Sequence, residues 1–452
     1  MTQDAPEQAG NINKFNISSN FKGNAVDLSA AVQEFNYYEN VLSNTVTATA
    51  IIMESGFEKS GKKDVPKQST LDGLPIRGGE RTDITITDAQ QNELKYPGGL
   101  YVNRVRDSIP GTQTDLYSLD FASKEYFSND LTRVVKRYEG KISDHIESIL
   151  KDVLKTDAEI DIDPTSLTYN FIGNDKKPFY TCTWLASKSI PEDGGSGGGD
   201  AGSAIGGAGG YLFYQTRDGF HFRSIDKIFA EKPVKKYIYN STSPANKPEG
   251  YDEKILSYTI DSDIDLNKNL LLGMYNNRSI FFNFLSFNYE VVKYGVEEDQ
   301  QDKITTAGTV PIAETVAKEF TESPSRLMTH VLDVGTLPPG QDQCKQLEYW
   351  KENPVDPNFQ AANTMVQTIM RYNQMFTVKT NITIPGDFTL KAGDMIECDF
   401  PELKGEKNKE KNEETGGIYM IAHVCHRITP RSTYTSLGLV RDTFGKKKGG
   451  KK

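Results

Sequence analysis

Two segments decide the reading of this chain. They are Phe388-Thr-Leu-Lys-Ala-Gly-Asp-Met-Ile-Glu-Cys-Asp-Phe400 and, after a charged loop, Gly417-Ile-Tyr-Met-Ile-Ala-His-Val-Cys-His-Arg-Ile-Thr429 with Pro430 and Tyr434 to Val440. A fainter copy lies far upstream: Pro75-Ile-Arg-Gly-Gly-Glu80, Thr82 to Thr87, Gly99-Leu-Tyr-Val-Asn-Arg-Val105, Pro110, and Leu116 to Phe121. In both, an apolar-basic-x-Gly-acid turn (Ile76 to Glu80, Leu390 to Asp394) opens an alternating strand. A Gly-apolar-Tyr-apolar strand, a Pro turn and a closing strand follow, with slips of one or two residues between the copies. Two copies of one strand set predict two similar small β domains in one chain.

Working outward, Phe15-x-Ile17, Val32 to Tyr38 and Thr45 to Ile52 are rich in β-branched and aromatic residues and read as strands. Residues 56–73 read as an exposed loop. Ser128 or Asp130 caps a helix through Tyr138, and Ser143 caps a second over Asp144 to Leu154, with Ile146, Ile149, Leu150 and Val153 on one stripe. Leu167 to Ile172 reads as a strand, and Phe179 to Leu185 as a buried helix or strand. Tyr211 to Thr216 and Phe220 to Ile225 form a hairpin through Asp218-Gly219. Tyr237 to Tyr239, Ile255 to Ile260, Leu270 to Tyr275 and Ser279 to Tyr294 are strand-like. A helix is expected at Ala313 to Phe320, another at Thr364 to Gln374, and a strand at Phe376 to Ile384.

The expected plan is a loose arm at 1–13, a β domain at 14–122 and an α/β module at 123–235 with a Gly-rich loop at 194–210. The start of a second β domain with an irregular insertion spans 236–375, its remainder 376–445, and a basic tail 446–452. The Gly-rich loop lacks a Gly-Lys-Ser/Thr ending and reads as a flexible surface loop rather than a phosphate cradle.

The chain has 452 residues, too many for one core, with 25% charged and 37% apolar residues and 22 each of Tyr and Phe, so a folded protein of about three domains is expected. Its net charge of −10 argues against direct wrapping of nucleic acid, which needs clustered Lys and Arg. The start, Met-Thr-Gln-Asp-Ala-Pro-Glu-Gln, has neither the basic nor the apolar region of a secretory signal, and no run of about 18 apolar residues predicts a transmembrane helix. Cys182, Cys344, Cys398 and Cys425 are isolated in sequence and expected to be reduced thiols.

Catalytic signatures are absent. The histidines are His145, His221, His330, His423 and His426, and only His423, Cys425 and His426 cluster. On a strand, His423 and Cys425 share a face and His426 points away, so strand packing is expected rather than a metal site. Asp161/Asp163 and Asp261/Asp263/Asp265 read as turn and solubility residues, since a calcium loop needs a Gly and a closing Glu that they lack. No catalytic, cofactor-binding or metal residue is assigned, and no enzyme activity is expected.

Phe35-Asn-Tyr-Tyr38, Leu42-Ser43, Thr45 to Ser55, Leu74-Pro-Ile76 with Gly78-Gly-Glu80, Ser123-Lys-Glu-Tyr-Phe127, Thr216 to Ile225, and Gly417 to Pro430 with Leu439 to Phe444 follow one another in a distinctive order. In that order, from about Ile17 to Phe444, the chain resembles the baseplate hub protein of contractile-tailed bacteriophages. The resemblance implies a mainly β fold with α+β insertions, in which two similar tube-type β-barrel domains are joined by smaller α/β modules. It implies a homotrimer whose six barrels form a pseudo-sixfold ring. That ring joins the hexameric tail tube to the trimeric central spike, meets other baseplate (wedge) proteins, and lets DNA pass without specific binding. The virion tail baseplate, assembled in host cytoplasm, is the implied location. Any lysozyme or β-helix part would sit on another polypeptide. A hub-like part of a type VI secretion or other contractile injection particle is the first alternative. A glycan-binding or depolymerising tail protein is the second, although only Trp184 and Trp350 are present and neither stands beside a clear acid pair.

Overall fold

A computed structural model describes residues 10–20, 25–56, 69–111, 113–166, 168–192, 209–239, 248–261, 265–283, 287–295, 316–331, 361–401, 412 and 415–442. Strand makes up 47% and helix 18%, so the chain is mainly β with small helical insertions, as expected. The first strand set is β1 (Asn11–Ser18), β2 (Ala25–Asp27), β3 (Val32–Asn40), β4 (Thr47–Glu54), β5 (Arg81–Thr87), β6 (Glu93–Lys95), β7 (Leu100–Pro110) and β8 (Asp115–Ala122). The module that follows holds β9 (Arg137–Tyr138), β10 (Glu159–Ile162), β11 (Phe171–Ile172), β12 (Tyr211–Thr216) and β13 (Gly219–Ser224). Then come β14 (Lys235–Ile238), β15 (Glu253–Lys254), β16 (Ser257–Asp261), and the three-stranded sheet of β17 (Asn276–Asn283), β18 (Asn288–Gly295) and β19 (Arg326–Val331). β20 (Val378–Pro385), β21 (Met395–Asp399), β22 (Gly417–Ile428) and β23 (Thr433–Arg441) close the chain.

The repeat is visible in the ladders. The first set runs β3-β4-β8-β7-β5-β1, and the second runs β16-β20-β23-β22-β21-β14 in the same order. Only the last pairing differs, antiparallel for β5 with β1 and parallel for β21 with β14. The glycine-acid turns match atom for atom. Gly79 N–H donates to Val102 O (2.7 Å) and Val102 N–H to Glu80 O (2.9 Å), while Gly393 N–H donates to Ile421 O and Ile421 N–H to Asp394 O, both at 2.8 Å. The carboxylate of Glu80 folds back on Arg77 N–H (2.9 Å), as that of Asp394 does on Lys391 N–H (2.9 Å). Gly79 (φ 80°) and Gly393 (φ 93°) take the left-handed backbone such a turn requires, and a Cβ at Gly393 would lie 2.3 Å from the Tyr214 hydroxyl. Both long strands then bulge at the same place, after Val102 and after Ile421.

The implied pair of closed barrels is not found. Among the described residues no ladder joins β1 back to β3 or β14 back to β16, and the two sets instead form one fifteen-stranded sheet. The physical reason lies in β22: its first half pairs with β21, and its second half pairs with β3 of the other set. Each set still curls over its own core. Phe15 of β1 meets Phe35 of β3 and Phe121 of β8 edge-on at 6.0 and 5.9 Å, and burying such a ring contributes about 2–3 kcal/mol. In the second set Tyr239, just past β14, meets Tyr258 of β16 at 4.6 Å.

The hairpin β12/β13 lies between two cores, which is why every residue of β12 is buried. By strand alternation Tyr211 and Phe213 enter the module core, with Ile146, Leu150, Tyr169 and Phe179, while Leu212 and Tyr214 enter the core of the second set. Helices Lys124–Leu131, Ile142–Ser148 (continuing as the π-helix Ile149–Leu154), Pro178–Ala186 and Ile225–Ala230 complete the module.

Several local expectations change. The helix expected from Ser128 or Asp130 to Tyr138 is not formed: the helix there is Lys124–Leu131, and Arg137–Tyr138 is a strand paired with Phe171–Ile172. Leu270 to Tyr275, expected as strand, instead form the end of the helix Leu266–Leu272 and the turn after it, because the Asp265 carboxylate caps the helix through Lys268 N–H (2.9 Å) and Gly273 ends it at φ 70°. Leu390 to Asp394 form the expected turn, and the strand it opens, β21, starts at Met395. β1 begins at Asn11, inside the expected arm. The expected helix at Thr364 to Gln374 is Ala361–Gln374. Most of the Gly-rich loop, Cys344, Trp350 and the lysine tail lie outside the described residues.

Candidate functional site

The seam where the two strand sets join holds a group of buried polar side chains, among them Glu39, Asp88, Asp387 and His426. In β3 the inward positions are Phe35, Tyr37 and Glu39, and this edge faces β22 in register from His423 opposite Asn40 to Ile428 opposite Phe35. Tyr37 stacks on His426 (6.1 Å, 15° between rings), and Phe388 meets that imidazole edge-on at 5.0 Å. Glu39 is 2% exposed and accepts hydrogen bonds from Tyr37 OH (3.0 Å), Arg217 N–H (2.8 Å) and Ala392 N–H (3.1 Å). One carboxyl thus ties the first set to the module hairpin and to the glycine turn of the second set. Burial raises its pKa, and the two N–H donors only partly offset this.

Neighbouring contacts repeat the pattern. Arg217 donates to Phe388 O and, at 3.0 Å, to Thr389 O. Asp88 of the first set accepts from Phe388 N–H (3.1 Å) of the second. Val46 N–H donates to the Gln215 side chain (3.1 Å), whose amide donates to Tyr96 OH (2.8 Å). Asp387, 1% exposed, accepts from Lys235 (2.5 Å), Tyr237 OH (3.0 Å) and Thr389; burial pushes its carboxyl up, but these donors outweigh it and hold the pKa below the usual value.

A second buried knot locks the module to the second set. Arg371, on the helix Ala361–Gln374, donates from Nε to Asp226 (2.7 Å) and from Nη1 to Asp442 (2.7 Å), with all three side chains at most 2% exposed. Asp226 belongs to the module helix Ile225–Ala230, and Asp442 follows β23.

This arrangement links the two like strand sets through a shared ladder and buried hydrogen bonds. Glu39, Asp88 and His426 face side chains or turn backbone across the seam, and Asp387 faces donors of its own set, rather than an open cleft. Among the described residues no three His, Cys, Asp or Glu side chains gather to hold a metal ion. No helix is long and apolar enough to cross a membrane. Exposed apolar side chains gather elsewhere, on one face of the β17–β19 sheet, where Tyr289, Phe282 and Val331 stand in one cross-strand row; Tyr289 and Val331 are 68% and 66% exposed.

No protein-family model matches the chain, and no curated protein sequence does. Solved structures do. The tail protein from Neisseria meningitidis MC58 superposes with a TM-score of 0.50 at 10% identity, over 95% of this chain and 97% of that one. The 43 kDa tail protein of prophage MuSo2 from Shewanella oneidensis gives a TM-score of 0.50 at 8% identity, over 95% and 98%. The chain has the fold of phage tail proteins. The likeness spans nearly the whole of each chain, so the strand sets and the module between them belong to one shared architecture.

The residues singled out in the sequence take structural places. His426 is fully buried, with Nδ1 on Thr435 Oγ1 (2.9 Å), and burial followed by the Arg217 charge lowers its pKa to about 3. His423 and Cys425 face the other way, as strand alternation requires, and Gly438 opposite leaves room for the His423 ring. Asp161 sits in β10 and not in a turn: His221 (3.1 Å) and Arg223 hold it, and the His221 bond lowers its pKa against the opposing effect of burial. Asp163 accepts from Ser224 N–H (2.9 Å). Asp261 lies in β16, and Asp263 is outside the described residues. Trp184 packs with Tyr169 and Phe171, both at 5.5 Å, in the module core rather than on a sugar-binding surface. Sequence reasoning missed Glu39, Arg217, Asp387 and the Arg371 knot, whose members come together only across long separations.

Proposed function

We propose that this chain is the structural hub subunit of a phage tail baseplate, without catalytic activity. Three copies form a ring that joins the hexameric tail tube on one side to the trimeric central spike on the other, with other baseplate proteins around it. DNA passes through the channel without specific binding, and the net charge of −10 suits a surface that must not retain it.

The observation that carries this reading is the duplicated strand set, with matching strand order, turn contacts and bulges. A subunit with two like units lets three copies present six, the number needed to meet a sixfold tube on one face and a threefold spike on the other. The fold shared with phage tail proteins supports the same role.

Native mass spectrometry of the purified chain tests it. The expected species is three times the 50.4 kDa chain mass. A monomer at every concentration, alone and with spike protein co-expressed, contradicts the reading.

A further inference from the structure

The duplication leaves one edge of each set without its counterpart. Inside the chain, the second half of β22 pairs with β3. The repeat makes β7 the counterpart of β22 and β16 the counterpart of β3: Phe35 stands opposite Ala50 as Tyr258 stands opposite Ile382. Among the described residues, β7 beyond Tyr101 pairs with β8 alone, and β16 pairs with β20 alone. The edge in use is deeply buried, with Phe35 at 1%, Tyr37 at 2% and Ile428 at 0% exposure. The equivalent positions of the matching edge are more open: Tyr258 and Ile260 are half-buried and Pro110 is exposed.

We propose that these two edges are partners between copies. β16 of one subunit pairs antiparallel with the second half of β7 of the next, repeating between chains the β3–β22 contact already made within each chain. A second copy of this chain is the occupant, because the contact has a complete internal example built from equivalent strands. The contact is head-to-tail, the kind that closes into a ring when the rotation is right, and this inference rests on the ring reading given above. Unpaired strand edges are hazards that a folded protein normally covers, and this pairing covers both.

The register transfers residue by residue. Arg106 stands opposite Ser118 as Cys425 stands opposite Ser436, and Asp261 opposite Lys379 as Tyr38 opposite Thr47. Since Cys425 faces Tyr38, Arg106 of one copy faces Asp261 of the next, a pair of opposite charge. β7 has a further bulge between Arg106 and Ile109, with Asp107 at φ 52°, that β22 lacks. Past it, Ile109 corresponds to Arg427 and faces the counterpart of Asn36, which is Thr259. Pro110, without an N–H, ends the ladder.

The test is a chain carrying Ile109→Cys and Thr259→Cys, oxidised mildly and run without reductant. Opposed residues in an antiparallel pair have Cα atoms about 4.5–5.5 Å apart, within the reach of a disulfide. A covalent trimer is expected from the double variant, and none from either single variant or from Ile109→Cys with Ser257→Cys. If the double variant is a trimer by native mass yet does not cross-link, the strand pairing is wrong while the ring reading stands. A monomer, alone and with spike protein co-expressed, overturns both. In the unmodified protein, the β7 and β16 amides should exchange about tenfold slower in the trimer than in the diluted monomer, and equal rates overturn the pairing.

Discussion

Replacing Arg371 with Met lowers the free energy of unfolding by about 3–5 kcal/mol, because it strands two carboxylates that the fold has taken out of water. Arg371, Asp226 and Asp442 are each at most 2% exposed, and the arginine holds one oxygen of each acid at 2.7 Å. Burial alone would favour the neutral guanidine, but the two acids outweigh it and hold the Arg371 pKa above its usual value. The loss falls on the joint between the module helix Ile225–Ala230 and the second strand set. A triple variant with Arg371→Met, Asp226→Asn and Asp442→Asn should recover part of it, since the knot then holds no charge while the buried Arg441 loses the Asp442 charge beside it. Denaturant unfolding of the three proteins measures this, and a loss under about 1 kcal/mol for Arg371→Met would mean that the knot is not holding the joint.

Acid weakens the seam through His426. Its ring lies between Tyr37 and Phe388, and burial, aided by the Arg217 charge, lowers its pKa from 6.5 to about 3 while Asp387 pulls the other way. A base with a depressed pKa binds its proton less readily in the folded state. Its contribution is therefore fully present above the unfolded value and is lost as pH falls from 6.5 towards 3. One proton changes stability by about 1.4 kcal/mol per pH unit. Between pH 6.5 and about pH 4.5, wild type should lose about 2–3 kcal/mol more than His426→Gln. The buried His145 and the half-buried His330 and His423 have lowered pKa values too, Asp387 loses stability only further into acid, and Glu39, with its raised pKa, acts in the opposite sense. All of these are common to both proteins and cancel in the difference. Parallel stability curves from pH 7 to pH 4.5 would exclude His426 as the sensitive group.

The parts legible in the sequence are those fixed by local pattern. The turn at Ile76 to Glu80 and its counterpart at Leu390 to Asp394 share a spacing because each needs a left-handed glycine and a carboxylate that folds back on the chain, and both requirements leave a local trace. The β12/β13 hairpin announces itself through Asp218-Gly219, with Gly219 at φ 143°. Closure was not legible, because β22 offers the same alternating pattern whether its second half completes its own set or takes β3. The helix Leu266–Leu272 was hidden by a run of leucines that suits either element, and the Asp265 cap decided it. The seam was the least legible of all. Glu39 joins Arg217 and Ala392 from distant segments, and no local signal marks a carboxylate that will be buried by such partners.

In the proposed ring the two strand sets are equivalent units repeated around a common axis. End-on electron micrographs of the assembled particle test it most directly. Six evenly spaced lobes around an open channel, contributed by three chains, are the predicted result. A particle in which the two sets of one chain occupy unlike radii, or whose lobes do not close into a ring, would contradict it.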